Sequence, residues 1–232
     1  MANERVFHRV AFLLRSTQHG YICFRIVYKK RYSFFLFNPV LIAIAGTIAT
    51  LLVLDIDYST YNRGAKYISY LLTPATVALA IPLYEQVSLL RKNFTAIMVG
   101  IASGVLASFC SIFAMALLFA LNHTEYVTLL PKSITTAIGI GLSQELGGYV
   151  AITVSAIIIT GLFGNIAGEV LCRIFGIKHP IAKGLSIGTA THVMGTAKAM
   201  EMGEVEGAMS SLSVAVAGAL TVAAAIFFEG LI

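Results

Sequence analysis

The chain has 232 residues, 58% of them apolar and 12% charged, with a mean hydropathy of +0.86. A soluble domain carries about twice that charge, so composition excludes one and predicts an integral membrane protein whose partner is the lipid bilayer. The net charge of +5 does not point to nucleic acid, because the Lys and Arg residues cluster between apolar runs instead of forming a continuous basic surface.

Residues 1–33 are atypical. His8, Arg9, Arg15, His19 and Arg25 interrupt the apolar stretch Val6 to Val27, and a cation near the bilayer centre costs about 2.5 to 3.5 kcal/mol. Arg15 also breaks any signal-peptide core, and no small-x-small cleavage site follows, so an interfacial helix or tail competes with a span. The remainder, 34–232, reads as one transmembrane domain. Lys29-Lys30-Arg31 precede a span from Phe34 to Leu54, with Asn38 as cap and Pro39 in the first turn. An exit loop, Asp55 to Lys66, carries tyrosines at interfacial depth.

Thr73 to Gln86, T-P-A-T-V-A-L-A-I-P-L-Y-E-Q, follows as a proline-broken apolar segment. Pro74 and Pro82 each remove an amide proton and disfavour helix at the preceding residue. Such backbone is tolerated at membrane depth only where protein buries it or where it lines a cavity, so the turn Pro74-Ala75-Thr76 is a candidate binding element. Arg91-Lys92 close it. Asn93 to Leu121 is a strong uncharged span, with Gly100 and Gly104 at a spacing that suits close helix packing. After a short loop with His123 and Glu125, Leu129 to Gly148 has too few uncharged residues to cross and predicts a re-entrant or discontinuous element.

Tyr149 to Gly168 is a full span, followed by the basic cluster Arg173 to Lys183. Gly184 to Glu201 is rich in small residues and interrupted at Gly188 and Gly195; an acidic turn at Glu201, Glu204 and Glu206 then leads to the last span, Gly207 to Phe228. Cys23, Cys110 and Cys172 are odd in number and widely spaced, which predicts small buried hydrophobes and no metal site. If the three basic clusters share one side, an even number of crossings separates each pair; Leu129 to Gly148 then re-enters, and the acidic turn near Glu204 falls on the opposite side. Halves of about 34–121 and 129–232 run in opposite directions, P-A-T-V-A-L-A at Pro74 to Ala80 answering T-A-T-H-V-M-G at Thr189 to Gly195. The fold class is therefore an all-α polytopic bundle, with inverted repeats and interrupted helices of the kind that secondary transporters use.

The motifs L-F-N-P-V-L-I-A (Leu36 to Ala43), L-L-T-P-A-T-V-A-L-A-I-P-L-Y (Leu71 to Tyr84), L-P-K-S-I-T-T (Leu130 to Thr136), G-T-A-T-H-V-M-G-T-A-K-A (Gly188 to Ala199) and E-G-A-M-S-S-L (Glu206 to Leu212) carry a resemblance. From about Asn38 onward the chain resembles the bacterial LrgB/CidB family. That resemblance implies a cytoplasmic-membrane protein that partners a small LrgA/CidA-type holin-like protein and modulates murein hydrolase export and autolysis. Plastid relatives are glycolate and glycerate translocators, and bacterial ones are linked to pyruvate uptake. A homo-oligomer is left open.

A small carboxylate calls for a cation or helix N-terminus and a ring of hydroxyl donors where water is limited. The interrupted elements offer Thr76, Lys132, Ser133, Thr135, Thr136, Thr189, Thr191 and Thr196. His192, set among small residues in a membrane segment, is of the one residue type whose ordinary titration range lies near neutrality and is a candidate for anion binding or proton coupling; Glu85 and Glu145 are further coupling candidates. Against each stands a structural role: Ser and Thr bond the preceding turn, a histidine bridges helices, and the glutamates solvate an interface. No P-loop, zinc spacing or nucleophile elbow appears, so no enzyme and no cofactor is expected. The two functions that remain are transport of a small monocarboxylate and modulation of a holin-like partner without transport.

Overall fold

The computed structural model describes residues 39–70, 74, 77 and 80–232. The stretch 1–38, and with it Asn38 and Cys23, lies outside them, as do Ala75 and Thr76. The described residues are mostly helical, without strands. Two compact units divide at Val77 and Ala78.

In the first unit, α1 (Pro39–Val53) begins at the proline, whose fixed φ suits a first turn. The stretch expected as an exit loop is instead largely helical, as α2 (Tyr58–Ser69). Its start is set by Asp57, whose carboxylate accepts from the Ser59 backbone N–H at 3.0 Å and bonds the Ser59 hydroxyl.

The second unit comprises α3 (Ala80–Glu85), α4 (Val87–Lys92), α5 (Phe94–Phe119), α6 (His123–Leu129), α7 (Thr136–Glu145), α8 (Val150–Ile174), α9 (Pro180–Met202) and α10 (Glu204–Phe228). Pro74 and Pro82 both lie in helical backbone, and the chain turns at Gln86 between α3 and α4. Three helices, α5, α8 and α10, are long and apolar enough to cross a membrane. Their outer faces carry residues such as Leu118, Ile174 and Phe227, 70 to 78% exposed. The inner face of α10 is instead small and polar, with Ser210, Ser211, Ser213 and Thr221 buried. That is the inside-out pattern of a helix whose solvent is lipid. Cys172 is buried, whereas Cys110, expected as a buried hydrophobe, is on the exposed side of α5, where lipid is as apolar a surrounding as a core.

Between the long helices lie two helical hairpins. The first is α6 and α7. Asn122 and Glu125 form a capping box that starts α6 where the sequence reading placed a loop. The chain turns at Leu130 to Thr135 and returns: Gly148 comes against Ser143 and Thr128, and the Tyr149 N–H donates to Thr128 Oγ1 at 2.8 Å. A buried hydroxyl relay, Ser143 to Thr153 and Thr153 to the Thr128 carbonyl, both 2.8 Å, ties the hairpin's open end to α8.

The second hairpin is α9 itself. His192 has φ 47° and ψ −147°, outside helical geometry. A Cβ on Gly195 would lie 3.0 Å from Ile187 Cγ2, although eight residues of continuous helix span about 12 Å. The chain therefore reverses at His192, into an N-limb (180–191) and a C-limb (193–202). Partners on α8 follow the reversal: Gly168 meets Ile187, Gly164 meets Thr191 and Gly161 meets His192, after which Asn165 meets Met194 and Glu169 meets Lys198. The interruption expected at Gly188 and Gly195 thus falls at His192. The two glycines serve packing instead, Gly188 against Ser210 and Ser213, Gly195 against Thr191.

The hairpins enter the second unit from opposite ends. Asn93 and His179 line the same cavity, and Gly100 and Gly104 meet Leu185 and Thr189 in turn, which puts the start of α5 beside the start of α9. Tyr126 bonds the Phe228 carbonyl at 3.0 Å, and His123 Nδ1 lies 2.8 Å from the Ile232 carbonyl oxygen, which gathers the other end. Arg91-Lys92 and Arg173 to Lys183 consequently share an end of the second unit. The acidic turn at Glu201 to Glu206 lies at that same end, not the opposite one, because α9 returns to where it began. There Lys198 pairs with Glu169 at 2.9 Å and Glu201 at 3.6 Å, and Glu206 lines a cleft with Arg173, Lys178 and Lys183.

Candidate functional site

A cavity of about 810 Å³ opens between α5, the turn of the first hairpin and the N-limb of the second. Each wall has a local cause. On α5, Gly100, Gly104, Ser108 and Ser111 recur at helical spacing, so one face presents no bulk. Gly100 approaches Leu185, and a Cβ on Gly104 would lie 2.8 Å from Thr189 Cγ2. On the hairpin turn, Pro131 and Ile134 are buried and anchor the two residues between them. The N-limb starts with His179 as N-cap and Pro180 at the first helical position.

Polar groups gather at the inner end. Half-buried Lys132 donates from Nζ to Ser133 Oγ at 3.2 Å and reaches Ser108 Oγ at 3.5 Å; the two hydroxyls are 3.4 Å apart. Thr189 Oγ1 is buried and has no hydrogen-bond partner, a condition that costs about 1 to 3 kcal/mol and that a bound acceptor or donor would relieve. Among the described residues no carboxylate lines this cavity. A lysine amine with hydroxyl partners only, on the same cavity wall as an unused hydroxyl, is chemically matched, once protonated, to a small anion.

Of the polar residues singled out in the sequence, the structure brings Lys132, Ser133 and Thr189 into the cavity. Thr135 is the N-cap position of α7 and Thr136 its first residue, outside the cavity lining. Thr191 donates to the Ile187 carbonyl at 2.7 Å and packs on Gly164. Thr196 donates to the His192 carbonyl at 3.1 Å and lies 2.8 Å from Ser210 Oγ. His192 is only 4% exposed; its Nε2 lies 3.0 Å from the Ile157 carbonyl oxygen, and its ring packs on Gly161. It stands at the hairpin tip, off the cavity. Glu85 and Glu145 are exposed.

The sequence reading missed Ser108 and Ser111. Their signal was present: they extend the Gly100 and Gly104 face by four and then three residues, placing hydroxyls on the same stripe of an uncharged span.

A family model described as the LrgB-like family matches residues 17–230. The chain belongs to that family. The match reaches back to residue 17, earlier than the Asn38 at which the resemblance in the sequence begins. This LrgB-family chain is 41% identical over 197 residues to the antiholin-like protein LrgB of Bacillus cereus (strain B4264), covering 85% of this chain and 86% of the relative. The antiholin-like protein LrgB of Bacillus anthracis (strain A0248) is similar to the same extent. No solved structure matches the chain at a significant level.

Proposed function

We propose that the chain transports small monocarboxylates of the glycolate, glycerate or pyruvate type across a bacterial cytoplasmic membrane, beside an LrgA/CidA-like partner. The observation that carries this reading is the cavity in which Lys132, Ser108 and Ser133 stand near the unpartnered Thr189 hydroxyl, with no acid on its described lining. A carboxylate accepts from Lys132 Nζ and the two serines, while Thr189 takes a second polar group of the same small molecule. In this reading the hairpins are re-entrant elements that enter from opposite membrane faces. The N-limb of twelve residues, 180–191, is about 18 Å long, enough for half a bilayer core of about 30 Å. In place of the halves of about 34–121 and 129–232 expected from the sequence, the inverted pair in this reading is the first hairpin plus α8 against the second hairpin plus α10, with a site near the midplane.

Purified protein in liposomes loaded against labelled glycolate or pyruvate tests the reading. Saturable flux that falls at least tenfold in Lys132→Met is expected; absence of saturable flux from the unaltered chain would overturn it.

The name that the relatives carry, antiholin-like protein, favours a second reading, a modulator that acts on a holin-like partner by helix contacts without transport of its own. It predicts that effects on autolysis persist in Lys132→Met and vanish only when the partner is absent. Neither reading involves an enzymatic reaction.

A further inference from the structure

We infer that Lys132, and not His192, carries the proton that moves with the carboxylate, so that the site is electrically neutral both empty and loaded. The inference rests on the transporter reading and concerns how that same site is coupled.

The geometry around Lys132 is the ground for it. Among the described residues, the Lys132 amine has only hydroxyls within bonding distance, Ser133 and Ser108. Among the described residues, the elements packed around it bring no compensating charge. From α5 come Gly104, Ala107, Ser108 and Ser111; from the N-limb come Thr189 and Ala190, with His179 at the mouth. The acidic residues of the first hairpin lie away from its turn, Glu125 in the capping box that opens α6 and Glu145 at the end of α7. Along the described lining of the cavity Lys132 and His179 are therefore the titratable groups. His192 lies against α8, held to the Ile157 carbonyl at 3.0 Å.

A half-buried cation without an acid is costly, and so is an unaccompanied carboxylate in the same place. Together they offset one another. Binding of the anion therefore favours protonation of Lys132, and by reciprocity protonation favours binding. The cycle balances. A carboxylate and a proton from one side form the Lys132 ammonium–carboxylate pair. Both leave on the other side, and the empty site returns with a neutral amine. No net charge crosses the bilayer, which avoids the cost of moving one through hydrocarbon.

Calorimetric titration of the full-length protein in detergent with sodium pyruvate, in two buffers of different ionisation enthalpy, counts the protons taken up per anion bound. At about pH 9, below the usual lysine range and above that of histidine, the unaltered chain is expected to take up a proton with each pyruvate, approaching one. Lys132→Arg, whose guanidinium stays charged, is expected to bind with none. Binding by the unaltered chain without proton uptake overturns the inference alone, as does unchanged uptake in Lys132→Arg. Absence of saturable binding by the unaltered chain overturns the transporter reading itself. Should Lys132→Arg fail to bind, His179→Gln and His192→Asn decide: uptake surviving in both assigns the proton to Lys132, and uptake lost in either contradicts it.

Discussion

At the scale of single residues, His192 and Thr189 each depart from a rule that buried residues obey. A histidine at φ 47° and ψ −147° adopts backbone that glycine takes freely and other residues only at about 1 to 3 kcal/mol. His192→Gly should therefore unfold at a higher temperature in detergent than His192→Ala, although both lose the bond to Ile157. Equal stability of the two variants would show that the backbone there is unstrained. Thr189 bears a buried hydroxyl without a partner, so Thr189→Val should raise stability by about 1 kcal/mol while weakening carboxylate uptake several-fold. A residue kept only for packing would show no such opposition between stability and uptake.

At the scale of elements, glycine decides how closely helices approach. Gly161, Gly164 and Gly168 on α8 receive His192, Thr191 and Ile187 of the hairpin, and a Cβ on Gly164 would overlap the Thr191 side chain. Gly164→Ala should cost about 1 to 3 kcal/mol, read as loss of thermal stability, because neither helix backbone has room to yield. Gly141→Ala, where a Cβ meets open space, should be neutral or slightly stabilising. The α5 glycines were legible in sequence as a close-packing face, and the structure seats Leu185 and Thr189 on them. The short helix α6 was announced by Asn122 and Glu125 at capping-box spacing but was obscured by its polar start. The position of the α9 reversal was not legible. Gly188 and Gly195 are the visible breakers, yet tertiary contacts to α8 and α10 place the turn at a histidine with low intrinsic preference for it.

At the scale of the second unit, spans and basic clusters were readable because hydropathy and charge act over long windows, whereas the site was readable only in part: Lys132, Ser133 and Thr189 stood out in interrupted elements, and Ser108 and Ser111, inside a regular span, did not. Which hydroxyl of Thr189, Thr191 and Thr196 is available depends on rotation within the hairpin, and a sequence gives no sign of it. The same folding back decides where the acidic turn lies. Single cysteines introduced at Lys92, Lys178 and Glu204 should react with an impermeant maleimide from one side of the membrane, and cysteines at His123 and Tyr149 from the other. Labelling of positions 178 and 204 from opposite sides would mean that α9 crosses the bilayer.

A small carboxylate bound in the cavity between α5 and the hairpin turn would shield the α5 wall. Ser108→Cys, in a chain whose Cys23, Cys110 and Cys172 are replaced by serine, places one thiol at that wall. Its rate of modification by a small thiol reagent should fall at least several-fold in saturating pyruvate, and Lys132→Met in the same background should abolish the protection. A rate unaffected by pyruvate, or protection that survives Lys132→Met, would contradict the placement of the anion beside Lys132.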